Sequence, residues 1–293
     1  MYVYRIYGLT ISMPMSCPML VELSKDTPVD IFVKEGIVPD RLIEAKIVGD
    51  CWQASSDRFL YIAGNRAGKY LIEGTNSIIF EKNTGAIDDA LCLHLITYAI
   101  AALMRQRGMI VLHANSVLTP FGAVAISGES GSGKSTTQAA LLKQQCLMIS
   151  DDITALTIGS DSYVYALPGP AKMNLYSDVA QYLNTKSTST RRNPVRPLKL
   201  MIHVNNESMV TEASMLKKIY CLNIYDGDKP IKRKLTGIEK FVALQNCLYG
   251  PQFENKLNFE SLSCVASKTD IYQLSRPRNK WSIDDLVGLI LGE

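Results

Sequence analysis

Residues 121–152 constrain this chain most. They read Phe-Gly-Ala-Val-Ala-Ile-Ser, then Gly128-Glu-Ser-Gly-Ser-Gly133-Lys134-Ser135-Thr136, then a helix-like run that ends in Ser150-Asp151-Asp152. Gly122 to Ser127 is short, apolar and bounded by glycine, which predicts a buried strand. Gly128 to Ser135 matches G-x-x-x-x-G-K-[ST] with a strand before it and a helix after it, the setting in which that motif cradles phosphate. Glycines at 128, 131 and 133 let successive backbone N–H groups turn inward, and the first helical turn adds the positive end of its dipole. The residues expected around the phosphates are Gly128, Ser130, Gly131, Ser132, Gly133, Lys134, Ser135 and Thr136. Lys134 reaches the β- and γ-phosphates, and the Ser135 hydroxyl is a ligand for Mg²⁺.

With 293 residues, 47% hydrophobic and 20% charged, the chain has material for a sizeable core in one large and one small domain. A net charge of +3 is too small to make nucleic acid the main partner, because such a face needs concentrated Lys and Arg. The seven cysteines (Cys17, Cys51, Cys92, Cys146, Cys221, Cys247, Cys264) are odd in number, widely spaced and without a C-x-x-C pair. That favours reduced thiols and a cytoplasmic protein. Met1 to Ser12 lacks the pattern of a secretory signal, and the most apolar stretch, Ala90 to Met104, is shorter than the ~20 residues that span a bilayer. It predicts a buried helix, and no membrane association is expected.

Met1 to about Lys82 carries strand and turn signals: Tyr2-Val-Tyr-Arg-Ile-Tyr, Asp30-Ile-Phe-Val-Lys, Arg58-Phe-Leu-Tyr-Ile, Lys69-Tyr-Leu-Ile-Glu and Ser77-Ile-Ile-Phe-Glu-Lys, with Gly64-Asn65, Gly68 and Gly74-Thr-Asn76 between them. A small antiparallel β domain is expected over residues 1–85, with a nucleotide-binding domain over 86–293. Asp88 to Gln106 is helical by period, with acids at its start and Arg105 and Arg107 at its end. Met109 to Leu118 predicts one strand, and the turn at Thr119-Pro120-Phe-Gly122 makes it antiparallel to the next, so the sheet is mixed. A helix runs from Lys134 to about Gln145, and Leu147 to Ser150 is a strand that delivers Asp151 and Asp152 to its C-terminal end, where ligands gather in α/β sheets.

Farther on, Tyr163 to Leu167 predicts a strand, and Asn174 to Leu183 a short helix. Lys186 to Pro197, with Arg191, Arg192 and Arg196, predicts a polar, basic loop that orders around phosphate or an acidic peptide, or simply connects. Strands at 198–204 and 218–225, a helix at 237–249, a strand at 270–274 and a helix at 282–291 complete the chain, with a capping-box variant at Ser282-Ile-Asp-Asp285.

A kinase needs a carboxylate to accept a proton from the attacking hydroxyl and another to hold Mg²⁺ against the nucleotide. Asp151 and Asp152 supply two, and His113, on the strand before the loop strand, is placed to orient Asp151 if those strands are neighbours. Gly108 to Leu118, the loop itself and Ser-Asp-Asp-Ile after it resemble the kinase domain of HPr kinase/phosphorylase. They are most similar to the shorter HPr-kinase-related proteins of peptide-tailoring clusters, including those that phosphorylate lasso precursor peptides on serine. Ile219-Tyr-Cys-Leu, Leu235-Thr-Gly-Ile-Glu and Tyr272 to Arg278 are similar to the C-terminal half of those proteins. The resemblance covers roughly residues 86–293.

That resemblance implies an α/β P-loop kinase domain with a mixed sheet, of the kind shared with phosphoenolpyruvate carboxykinase. It implies ATP and Mg²⁺, Asp151 as the base with His113 as its partner, Lys134 in catalysis, and Ser135 and Asp152 at the metal. The glycine-rich second signature of HPr kinase/phosphorylase has no clear counterpart here, which leaves a second acidic ligand unassigned and argues against HPr as substrate. The function expected is transfer of the γ-phosphoryl group to a serine of a peptide or small protein; relatives often assemble, but whether this chain forms a homo-oligomer the sequence leaves open. Two other readings stay open: a nucleotide-binding regulator or assembly factor without transfer, and a small-molecule kinase acting on free serine or a sugar.

Overall fold

The structure is a computed structural model that describes residues 1–64, 66–182, 190–250 and 259–292. They form two compact units, the first of residues 1–109, 194–197 and Gly250, the second of 110–182, 190–193, 198–249 and 259–292.

In the first unit the strands are β1 (Tyr2–Ile6), β2 (Leu9–Met13), β3 (Val21–Glu22), β4 (Ile31–Glu35), β5 (Ile47–Val48), β6 (Trp52–Ala54), β7 (Arg58–Ile62), β8 (Gly68–Glu73) and β9 (Ser77–Lys82). Among the described residues they make one sheet in the order β3-β1-β2-β4-β9-β8-β7-β6-β5. The sheet is mixed and not antiparallel throughout, because β4 lies parallel to both β2 and β9. The chain reaches those pairings by long connections, whereas hairpins such as β8–β9 turn at once.

Helices α1 (Asp88–His94) and α2 (Ile100–Gln106) flank a π-helical turn, Leu95–Ala99, in the segment predicted as one helix. Nearly every side chain from Ala90 to Gln106 is buried, so this helix is covered all round rather than on one stripe. The boundary expected at 85/86 therefore falls after Met109, with the helix inside the first unit. The Tyr70 hydroxyl donates to the Leu91 carbonyl at 2.8 Å, and the Tyr61 hydroxyl lies 2.8 Å from His94 Nδ1. A disulfide joins Cys17 to Cys92, which corrects the expectation of reduced thiols throughout. A pairing across 75 residues leaves no local spacing to read.

The second unit holds β10 (Ile110–Leu112), β11 (Ala114–Thr119), β12 (Gly122–Gly128), α3 (Lys134–Lys143), β13 (Leu147–Ser150), β14 (Thr154–Ile158), β15 (Val164–Ala166), β16 (Lys172–Tyr176), α4 (Ser177–Tyr182), β17 (Thr190–Arg192), β18 (Lys199–His203), β19 (Ser214–Tyr225), β20 (Ile231–Lys234), α5 (Gly237–Asn246), α6 (Phe259–Lys268), β21 (Asp270–Pro277) and α7 (Ile283–Leu291). The main sheet runs β13-β11-β12-β19-β21-β20. β12, β19 and β21 are parallel neighbours, and β11 and β13 are antiparallel, so the sheet is mixed as the turn at Pro120 predicts. The fold class is mixed α/β. Val124 and Ile126 of β12, Leu141 of α3 and Leu286 and Ile290 of α7 share one buried cluster, which fixes α3 against the strand that feeds the loop.

Several local expectations change. The strand predicted over 109–118 breaks at His113 into β10, which pairs with β14, and β11, which pairs with β12. The break is held by the His113 N–H, which donates to the Cys247 carbonyl at 2.7 Å. The helix expected from Asn174 is a strand through Tyr176 and a helix only from Ser177 to Tyr182. Thr190 to Arg192 is a strand on β18 and not a loop, while Lys186 lies outside the described residues. Ser282 occupies the N-cap of α7 without a side-chain cap hydrogen bond. No helix among the described residues is long and apolar enough to cross a membrane.

Candidate functional site

β12 ends at Gly128, whose φ of 147° is open to glycine, and a Cβ there would sit 2.2 Å from the Leu222 carbonyl oxygen on β19. The chain thus turns off the sheet as close to its neighbour as backbone allows. Gly133, at φ 108°, is the N-cap of α3 and starts the helix with its N–H groups facing the loop. The Lys134 ammonium is buried and folds back on the loop, donating to the Gly128 carbonyl at 2.6 Å and the Glu129 carbonyl at 3.1 Å. From β21, Arg276 holds the far side of the loop, its Nε donating to the Ser132 carbonyl at 2.6 Å and its Nη2 to the Gly131 carbonyl at 3.1 Å. The Ser132 hydroxyl is buried with no hydrogen-bond partner among the described residues. A buried hydroxyl without a partner costs free energy that an anion seated in the loop would recover.

A pocket of about 1120 Å³ opens over this loop, lined by His113, Gly128, Ser130, Ser132, Arg233 and Asn246 among others. Ser135 and Thr136, on the first turn of α3, are half-buried. Three positive-φ glycines, a buried cation, an orphan hydroxyl and the N-terminus of a ten-residue helix converge here, which fits the phosphates of a nucleotide.

The aspartate pair comes directly after β13. Asp152 has φ 65°, so the backbone turns over after Asp151 and both carboxylates come to one side. A single amide nitrogen, Asn174 Nδ2 on β16, donates to Asp151 Oδ2 at 2.9 Å and Asp152 Oδ2 at 3.1 Å. The Asn174 N–H adds a bond to Asp151 Oδ2 at 3.0 Å, and Lys172 Nζ stands 4.0 Å from the same oxygen. On the other side Asn115 Nδ2, from β11, donates to Asp151 Oδ1 at 2.7 Å and Gln138 Oε1 at 2.8 Å, with Ser135 Oγ as a longer third contact at 3.4 Å. Its two protons serve the first two, and the third distance shows how near the aspartates lie to the first turn of α3. Burial first, and then the negative charge of Asp152, pushes the Asp151 carboxyl up to about 7, against the opposing pull of Lys172.

His113 joins the loop in lining the pocket, and its ring meets Tyr249 edge-on at 5.8 Å. Asp151 accepts hydrogen bonds from Asn115 and Asn174, and His113, the partner expected from the sequence, is placed in the wall of the pocket over the loop. Arg191 is in register with Met201, which is in register with Asn174, so Arg191 stands in the same cross-strand row, about 10 Å from Asn174 across two strand spacings. Arg192, the next residue, falls on the opposite face. Arg196 is exposed and belongs to the first unit. Asn115 and Arg276 fall inside stretches that carry the resemblance without being singled out there, and Gln138, Lys172 and Asn174 belong to no motif that the sequence displays. On the strands, the one signal of Asn115, Lys172 and Asn174 is polarity where the period calls for apolar residues.

Among the described residues no group of three or more His, Cys, Asp or Glu could hold a metal ion. Mg²⁺ asks less of the protein, since it keeps several waters and takes one or two oxygen ligands. Ser135 and Asp152 offer hard oxygens of that kind, and Asn115 touches both, through its Nδ2 contact to Ser135 and its Oδ1, 3.4 Å from the Asp152 N–H.

The second unit is thus a mixed α/β fold in which β12 runs into a glycine loop at the N-terminus of α3, with a buried lysine at the loop and two buried aspartates after β13. No family model and no curated protein sequence matches the chain. Among solved structures it is similar to the HPr(Ser) kinase/phosphatase from Coxiella burnetii, at 13% identity and a TM-score of 0.32, over 61% of this chain and 90% of that one.

Proposed function

We propose that this chain is an ATP-dependent phosphotransferase, with a P-loop kinase domain of the HPr-kinase-like kind, that moves the γ-phosphoryl group to a serine hydroxyl of a peptide or small protein. The observation that carries the reading is the Asn115 amide, which ties Asp151 to Gln138 of α3 and so keeps a carboxylate near the loop that would hold the triphosphate. The backbone of Gly128 to Gly133, Ser130, Ser132 and Thr136 receives the phosphates, and Lys134 leaves its two carbonyls to meet their outer oxygens. Ser135 and Asp152 would hold Mg²⁺, which when bound neutralises charge on the β- and γ-phosphates.

The acceptor oxygen bonds to the γ-phosphorus as the bond to the β,γ-bridging oxygen breaks. The hydroxyl proton passes to a carboxylate, and ADP leaves with the bridging electrons. Asp151, held near neutrality, has a suitable affinity for that proton. A second assignment comes from its burial: its side chain is fully enclosed, while Asp152 is 8% exposed. In that arrangement Asp152 takes the proton instead of holding Mg²⁺, which is left to Ser135, and Asp151, with Asn174, fixes its position. Arg191, in the row of Asn174 and exposed, suits the charge of an acidic acceptor peptide.

The test is a mass-shift assay with MgATP against serine-bearing peptides, free serine and a sugar. A phosphoryl adduct on peptide alone supports the proposal, adducts on the small molecules point to a small-molecule kinase, and nucleotide binding with no adduct leaves a regulator. Asp151→Asn and Asp152→Asn, both still binding nucleotide, assign the base: it is the position whose loss removes the acidic limb of the pH–rate profile.

A further inference from the structure

Cys221 and Cys247 are far apart in sequence, yet their sulfurs lie 3.6 Å from each other. Cys221 is on β19 directly opposite Ser127, the residue before the loop, and Cys247 is the C-terminal cap of α5. Both line the pocket over the loop, so small solutes have a path to them. The backbone on either side of Cys247 is anchored, its own carbonyl by the His113 N–H at 2.7 Å and Leu248 by a β-bridge to Leu112. The two thiols are therefore held together by the fold rather than meeting by chance. Neither takes part in the Cys17–Cys92 disulfide. The hydrogen bond from Cys221 lowers the Cys247 thiol against the opposing effect of burial, while that same bond and burial raise Cys221. A thiolate is the reactive form; either sulfur can attack first and the disulfide is the same, and one such route starts at Cys247, the thiol that is lowered.

We propose that Cys221 and Cys247 form an oxidisable pair in the wall of the pocket, which a hydroperoxide such as hydrogen peroxide closes to a disulfide. The Cys247 thiolate bonds to one peroxide oxygen, the O–O bond breaks, and the hydroxide released takes up a proton to leave as water. The resulting sulfenic acid is attacked by Cys221, which loses its proton as the S–O bond breaks, and a second water departs. Two thiols and one peroxide give one disulfide and two waters. The sulfurs need to close from 3.6 Å to about 2.05 Å, a shift within reach of side-chain rotation and a small movement of the helix end. The bond would then tie α5 to β19 beside the loop. Its effect on nucleotide rests on the function proposed above, and a tether in the pocket wall should weaken binding about tenfold.

Peroxide treatment of the intact chain, followed by alkylation, digestion and mass mapping, tests the pair. The expected product is a Cys221–Cys247 cross-linked fragment that dithiothreitol reverses, and Cys221→Ser should instead leave a dimedone-trappable sulfenic acid on Cys247. Both thiols remaining alkylatable, or Cys247 passing to sulfinic acid unlinked, overturns the proposal. Titration with a fluorescent ATP analogue before and after oxidation tests the coupling, and equal affinity in the two states overturns it. No affinity in either state would count against the nucleotide reading and leave the thiol chemistry intact.

Discussion

Gly128 and Gly131 are both glycines at positive φ in the same loop, and they should respond very differently to one added methyl. At Gly128 the new carbon meets a backbone carbonyl at 2.2 Å, whereas at Gly131, φ 84°, nothing lies within 4 Å. Gly128→Ala should cost about 3 kcal/mol or more and Gly131→Ala about 1 kcal/mol, read from urea unfolding of the full chain. Asn115→Ala removes the donor shared by Asp151 and Gln138, both buried, and should cost about 1–3 kcal/mol while reducing any phosphoryl transfer more than nucleotide affinity. A kcat equal to that of the wild type would refute its role in placing Asp151. At this scale the loop and the aspartate pair were legible, because their residues are adjacent and the motif has a fixed spacing. Asn115, Asn174 and Lys172 were not, since strand register brings them to Asp151 across 36, 23 and 21 positions of sequence and no local pattern encodes register.

The long buried helix of the first unit carries a titratable group in its middle. Burial, with the nearby charge of Arg196, lowers His94 from 6.5 to about 4. Tyr61 is pushed the other way by burial, so its hydroxyl keeps its proton, and it lies within hydrogen-bond distance of His94 Nδ1. A histidine whose folded pKa lies below its unfolded one is protonated first in the unfolded chain. Stability is then full above pH 6.5 and falls as the pH drops from there toward 4, by about 3 kcal/mol at the lower end. His94→Gln should flatten that slope, and a midpoint that does not move between pH 7 and 4.5 would contradict it. Elements of this kind, long and strongly periodic, were readable from sequence. Short ones were less so: β16 and β17 are strands because β18 lies between them, and the break between β10 and β11 exists because the Cys247 carbonyl claims the His113 N–H.

Across the whole chain the two units differ in how they are held. The first closes a loop with Cys17–Cys92, while the five free cysteines are Cys51, Cys146, Cys221, Cys247 and Cys264. Denatured without reductant, the chain should show five thiols to a chromogenic disulfide, and seven after reduction. Seven in both cases would exclude the bond. Reduction should cost the first unit about 4 kcal/mol by the loop-entropy estimate, seen as a lower unfolding midpoint. The bond also removes the argument from cysteine usage that pointed to the cytoplasm. The change of strand pattern to helix put the division one element too early, because a helix buried all round gives no sign of which sheet will cover it. One detail of the loop reaches beyond stability. With its ammonium seated on the Gly128 and Glu129 carbonyls, the loop keeps its own guest, and any newcomer must evict it. A single phosphate offers that ammonium little more than it already has. Under the function proposed above, three in a row would both displace it and re-house it, so the loop should favour long polyphosphate tails over short ones, a preference that competition of triphosphate and orthophosphate for a fluorescent ATP analogue would check.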